Sequence, residues 1–188
     1  MTKKVYLIHG WGGSSRGGWF DWLRDQLLEK DIEVRAFDMP DTDHPNIEAW
    51  VSFIKNNILP LDEETYFVGH SVGCQAIMRF LETVDDPEIK IKGCVFVAGW
   101  FTLKEEATED QEDKEVARPW LETEINFEKV KSHCKNFLAI FSDDDPYVPV
   151  EDEKLFKKNL GAKTIMKSGE DHFNKKYKIP EILNFILQ

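Results

Sequence analysis

Apolar residues fall along this chain in two rhythms. Short β-type runs at residues 5–8, 34–37, 65–68, 94–98, 137–141 and 164–166 alternate with stretches whose apolar positions recur every three or four residues. The run Cys94-Val95-Phe96-Val97-Ala98 contains no polar side chain, as expected for a strand buried on both faces. Helical spacing occupies residues 19–30, where Trp19, Trp22, Leu23 and Leu27 share one stripe. It recurs at residues 47–58 behind Asn46, a good N-cap, and in the stretch holding Cys74, Ile77, Met78 and Leu81. Residues 127–133 and 150–160 follow, the second closed by Gly161 at C′, and Pro180 suits the first turn of a last helix. Strands that alternate with helices pair in parallel through crossover connections. The expected fold is therefore a compact α/β domain over residues 1–188, with about six mostly parallel strands flanked by helices.

One stretch breaks the rhythm. Residues 104–115 hold seven acidic residues and two lysines with almost nothing to bury, which predicts a solvated, mobile excursion. The whole chain carries a net charge of −11, which repels phosphate backbones and anionic lipid surfaces and argues against nucleic acid and membranes as partners. No apolar run reaches the ~20 residues of a membrane span, and residues 1–4 lead straight into the first strand with no cleavage site. Three cysteines, an odd number placed in or beside core elements, predict reduced thiols in a cytoplasmic protein. None has a Cys or His neighbour at ligand spacing, so no metal is expected.

The candidate chemistry sits at the ends of strands. Residues 65–68 run into Gly69-His70-Ser71-Val72-Gly73, a G-x-S-x-G pattern set between a strand and a helix, the context of a nucleophile elbow. Its glycines allow a sharp turn, and Ser71 would sit over a helix N-terminus, where unpaired N–H groups favour negative charge. A serine hydroxyl needs a base, and His172 is the candidate; an imidazole needs a carboxylate on Nδ1, and Asp145 is the candidate. Asp145 precedes Pro146, which restricts its backbone to extended conformations, whereas Asp143 and Asp144 suit turn capping. The glycine-rich turn after the first strand, His9-Gly10-Trp11-Gly12-Gly13, lacks the G-x-G-x-x-G order of a dinucleotide site and has no P-loop lysine, so no cofactor is expected. Its alternative role is an oxyanion loop, with the backbone N–H groups of Trp11 and Val72 as donors. Trp100 and Trp120 are candidates for an acyl pocket, with core packing as the other reading. His9 and His70 are expected to support the site from beneath, Cys74 to pack in the core, and His44 and His133 to lie on the surface. His9, Ser71, Asp145 and His172 all follow strands, and open parallel sheets bind ligands beyond the carboxyl ends of their strands.

The chain resembles the α/β-hydrolase superfamily, and within it the small serine hydrolases related to retinoblastoma-binding protein 9. The elbow, His9-Gly10-Trp11-Gly12-Gly13, Asp38-Met39-Pro40-Asp41, Arg118-Pro119-Trp120, Asp144-Asp145-Pro146 and His172-Phe173-Asn174 carry the resemblance across essentially the whole chain. It implies a sheet without the two N-terminal strands of larger hydrolases, a small cap or lid over residues 101–126, and the acid at the Asp-Pro position. No Leu-x-Cys-x-Glu segment occurs, so binding of the retinoblastoma protein is not implied, and the protein partner stays open. The expected activity is a cofactor-free serine hydrolase acting on small acyl esters through Ser71, His172 and Asp145. Amidase, peptidase or thioesterase activity with the same triad, and a non-catalytic binding role on the same scaffold, are the alternatives.

Overall fold

A computed structural model describes residues 2–58, 60–108 and 110–188. Six strands, β1 (Lys4–Ile8), β2 (Glu33–Phe37), β3 (Thr65–His70), β4 (Gly93–Val97), β5 (Phe137–Ser142) and β6 (Lys163–Lys167), form one sheet in the order β2-β1-β3-β4-β5-β6, every pair parallel. The chain steps outward from β1 to β2, then returns past β1 to β3. The strand order therefore reverses between β1 and β3, and ligand crevices of open α/β sheets lie at such a point.

Both faces of the sheet are covered, and the pleat sorts the side chains between them. Tyr6, Ile8, Phe67, Cys94, Phe96, Phe137, Ala139 and Phe141 join one core with Trp50 and Ile54 of α2 (Ile47–Asn57), Val130 of α5 (Phe127–His133), Phe156 of α6 (Asp152–Leu160) and most of α3 (Val72–Glu82). Val5, Leu7, Tyr66, Val68, Val95, Val97, Leu138 and Ile140 join the opposite core with α1 (Gly18–Leu28) and α7 (Pro180–Leu187). The near-continuous apolar runs of β3, β4 and β5 follow from this double cover, since no position faces water. On α1 Trp19, Phe20, Leu23 and Leu27 are buried, and Trp22 packs half-buried against the same core. Asn46 caps α2 as expected, its side chain accepting the Ala49 N–H, and Gly161 closes α6 in the left-handed region at φ 68°.

The 104–115 stretch is largely exposed, as expected, but its described residues carry regular structure. A 3-10 turn at Glu105–Ala107 leads to α4 (Gln111–Glu122), which buries Ala117 and Trp120; position 109 lies outside the described residues. The acidic composition that predicted a solvated excursion includes this helix's own start signal. Asp110 accepts the Asp113 N–H at 2.8 Å, and Glu112 and Asp113 place negative charge in the first turn, where the helix dipole favours it. His133 also departs from its expected surface position: it is 1% exposed, with Nδ1 2.9 Å from the Ile89 carbonyl, because α5 ends against the bridge between Ile91 and Cys134.

Candidate active site

β3 runs two residues further than its apolar pattern and ends in a strained turn. Ser71 has φ 52° and ψ −125°, a conformation that side-chain-bearing residues rarely adopt and that costs roughly 1–3 kcal/mol unless its surroundings impose it. They do so here from three sides. The Ser71 N–H donates to Val97 of the neighbouring strand at 2.9 Å, and its carbonyl accepts from Cys74 at 3.0 Å, starting α3. Gly73 explains the glycine at the pattern's end: a Cβ there would stand 2.5 Å from the carbonyl oxygens of both Ile8 and His9. The absence of a side chain lets α3 press onto the end of β1. Val72 is the first residue of α3, where a helix N–H has no intrahelical acceptor.

The expected acid, Asp145, lies just past β5, and the expected base, His172, in the loop after β6. Oδ2 of Asp145 lies 2.8 Å from Nδ1 of His172, and Oδ1 accepts the N–H groups of Tyr147 and Val148 at 2.9 and 3.0 Å. The two side chains are 3% and 6% exposed. Because the carboxylate can only accept, Nδ1 carries the proton and Nε2 is left as the basic nitrogen. The neighbouring acids do what short turn acids do. Asp143 accepts the Gly169 N–H at 3.0 Å, and Asp144 accepts the Asp171 N–H and the Ser142 hydroxyl at 2.9 and 2.6 Å. These last two bonds hold the Asp144 carboxyl below its ordinary range. The loop is further bent by positive φ at Asp171 (53°) and Phe173 (59°) on either side of His172.

Two more histidines lie beneath. His70 donates from Nε2 to the His172 carbonyl at 2.8 Å, and complete burial pushes its imidazole down to about 3, so it is neutral. His9 accepts the Met39 N–H on Nε2 at 3.0 Å, has Nδ1 2.7 Å from the Gly10 carbonyl, and is also held below its ordinary value by burial. Both therefore support the site, as expected, by bracing backbone. His44 lies on the surface, bridged to Glu112 and Asp41.

Ser71 and His172 line one cavity of about 610 Å³, together with Trp11, Trp100, Leu103 and Tyr147. Trp100 points its indole Nε1 at the Ser71 hydroxyl at 3.4 Å. The Trp11 indole donates to the Asp43 carbonyl at 2.8 Å, tying the glycine-rich turn to the β2–α2 loop. Trp120 does not reach the cavity. Its indole donates to the Pro45 carbonyl, its ring meets Trp50 edge-on, and the Arg79 guanidinium stacks over it, so it belongs to the core under α4. Tyr147, whose ring meets His172 edge-on at 5.0 Å, had no signal in the sequence beyond its place after the Asp-Pro pair.

Comparison with known proteins gives the family. The serine hydrolase family profile matches residues 5–181. YdeN of Bacillus subtilis (strain 168), named as a hydrolase, is 31% identical over 173 residues, spanning 92% of this chain and 87% of its own. The serine hydrolase RBBP9 of Rattus norvegicus is 28% identical over 174 residues, with the same two coverages of 92% and 87%. The crystal structure of the ydeN gene product superposes with a TM-score of 0.86 at 28% identity over 99% of both chains. The doubly covered parallel sheet is thus an α/β-hydrolase fold, and the chain belongs to the serine hydrolase family.

Proposed function

We propose that the protein hydrolyses small carboxylic esters, with Ser71 as nucleophile, His172 as general base and acid, and Asp145 as the carboxylate that orients the imidazole. The observation that carries this reading is the buried 2.8 Å contact between His172 Nδ1 and Asp145 Oδ2, behind the cavity that His172 and Ser71 both line. In this scheme Nε2 of His172 takes the Ser71 proton as Oγ attacks the acyl carbonyl. The oxyanion that forms is met by the backbone N–H groups of Val72 and Trp11. Collapse expels the alcohol, protonated by His172, and leaves acyl-Ser71; water then repeats the sequence and frees the acid. Asp145 keeps its charge throughout and stabilises the imidazolium.

The lining supports a neutral acyl substrate. Among the described residues around the cavity, Arg16 is the sole Lys or Arg, too little positive charge to hold a phosphoryl or sulfuryl group. Trp11, Trp100 and Leu103 offer apolar surface for a small acyl chain. Leu103, Ala107 and Asp113 of the 101–126 segment line the cavity, which supports a role for that segment in access. The three free, buried thiols support a reducing compartment, and we place the protein in the cytoplasm. No helix among the described residues is long and apolar enough to cross a membrane.

The test is a panel of acyl esters, amides and thioesters with wild type and Ser71→Ala. A fluorophosphonate should label wild type at Ser71 alone, and ester turnover should vanish in the variant. Activity that survives Ser71→Ala, or folded wild type that neither labels nor turns over any ester, would overturn the assignment.

A further inference from the structure

The proposed acid is held from two directions, and one of them was not expected. On the His172 side, Asp143 and Asp144 grip the loop that carries the base. On the other side, the first residues of the cap grip the loop that carries the acid. Nζ of Lys104 donates to the Asp145 backbone carbonyl at 2.6 Å, and its N–H donates to the Tyr147 carbonyl at 2.9 Å. Those two carbonyls flank Pro146, and the Tyr147 N–H is itself one of the donors to the Asp145 carboxylate. A little further on, the fully buried carboxylate of Asp152 closes the other end of the same clamp. It accepts the N–H groups of Phe101 and Thr102 at 2.5 and 3.0 Å and the Thr102 hydroxyl at 2.5 Å. Residues 101–104 and 145–152 are therefore joined by five bonds, while Trp100, immediately before the clamp, touches the Ser71 hydroxyl.

We propose that Lys104 is a positioning residue for Asp145, and that the root of the cap at residues 101–104 belongs to the catalytic frame while the rest of the cap governs access. This inference rests on the ester-hydrolase reading given above. The physical argument concerns orientation. Asp145 holds the imidazole through one oxygen only, so rotation of its backbone swings that oxygen away from Nδ1. Because residue 146 is proline, the Asp145–Pro146 peptide has no N–H and can be held from outside only through the Asp145 carbonyl, which a charged donor grips best. An ammonium bonded there fixes the Asp145–Pro146 peptide plane, and the Lys104 N–H fixes the Tyr147–Val148 plane, whose Val148 N–H donates to Oδ1. Lys104 itself is not among the residues that line the cavity, so its loss should act on the chemical step and spare substrate binding.

The experiment compares kcat and KM for a neutral ester in wild type, Ser71→Ala, Lys104→Met, Lys104→Gln, Lys104→Arg and Lys3→Met. Lys3→Met is the control, because Lys3 also donates to a backbone carbonyl, that of Ile186, far from the cavity. Lys104→Met should lower kcat about tenfold with KM within about twofold, since small misplacements of catalytic groups cost up to ~10²-fold. Lys104→Gln, whose amide is too short to reach, should behave alike and serves if the methionine variant folds poorly. Lys104→Arg should regain most of kcat, and Lys3→Met should match wild type. A wild-type kcat in Lys104→Met or Lys104→Gln, a change in KM alone, or a loss that arginine fails to rescue would overturn the positioning role. If wild-type turnover does not depend on Ser71, the hydrolase reading falls and takes this inference with it. Ser71-dependent turnover with indifferent Lys104 variants overturns this inference alone.

Discussion

Asp145 and His172 lie 27 residues apart in the chain and 2.8 Å apart in space, with Asp144 bonded one residue away to the Asp171 N–H. Two adjacent acids thus hold two adjacent residues of the facing loop, one by its side chain and one by its backbone. Only the first of these bonds touches the His172 imidazole. Asp145→Asn should therefore cripple the enzyme by favouring the wrong imidazole tautomer, by ~10²–10⁴ in kcat. Asp144→Asn should lower the melting temperature slightly and leave kcat within a few-fold. Steady-state kinetics on both variants decides; a crippled Asp144→Asn beside an active Asp145→Asn would move the acid by one residue.

His70 makes stability depend on pH. Its folded imidazole is pushed down to about 3 by burial, whereas in the unfolded chain it titrates near its ordinary ~6.5. The unfolded state therefore binds the extra proton, and the stability contributed by neutral His70 is complete above about pH 6.5 and lost progressively below it. Between pH 6.5 and 5 this loss is about 1.5 kcal/mol, and His9, lowered in the same direction by burial, adds to it. Urea unfolding at the two pH values should show a smaller acid-induced loss in His70→Gln than in wild type. Equal losses would mean that His70 is not held neutral.

Gly73 tests the seating of α3 on β1. An alanine would gain about 1 kcal/mol of helix propensity. Its Cβ would also meet two backbone carbonyl oxygens at 2.5 Å, atoms that the sheet holds in place. The clash should win, with Gly73→Ala destabilised by about 2–3 kcal/mol in denaturant unfolding. At Gly10 the added Cβ would meet Ser71 Cβ at 2.9 Å and His70 Nδ1 at 3.1 Å, so Gly10→Ala should lose activity out of proportion to stability. An unchanged unfolding midpoint in Gly73→Ala would show that α3 can shift to make room.

Asp113 brings the cap's negative charge to the rim of the cavity. Asp113→Asn should raise kcat/KM for esters bearing a carboxylate by about two- to threefold relative to neutral esters, the effect of one charge at ~8 Å in a water-like medium. The difference should shrink at 0.5 M salt as screening shortens to a few ångströms. Equal gains for neutral and anionic esters would assign the change to shape.

The chain's own pattern determined the alternation of strands and helices, the double cover of β4, the Asn46 and Gly161 caps, and the placement of Ser71, Asp145 and His172 after strands. These follow from local rules, because periodicity, capping and turn chemistry act over a few residues, and burial on both faces leaves an uninterrupted apolar run. Tertiary structure alone decided the rest. The two extra residues of β3, Gly69 and His70, are polar or small and enter the sheet only because β1 and β4 pair with them. Trp120 and His133 have no local signal for core or surface; their burial depends on what α4 and α5 meet. The helix at Gln111–Glu122 was hidden because its buried face is only Ala117 and Trp120 amid charge. Lys104, one of two lysines in an acidic run, looks like solvent-facing sequence until folding brings the Asp145 carbonyl within 2.6 Å, since a backbone acceptor leaves no mark on sequence.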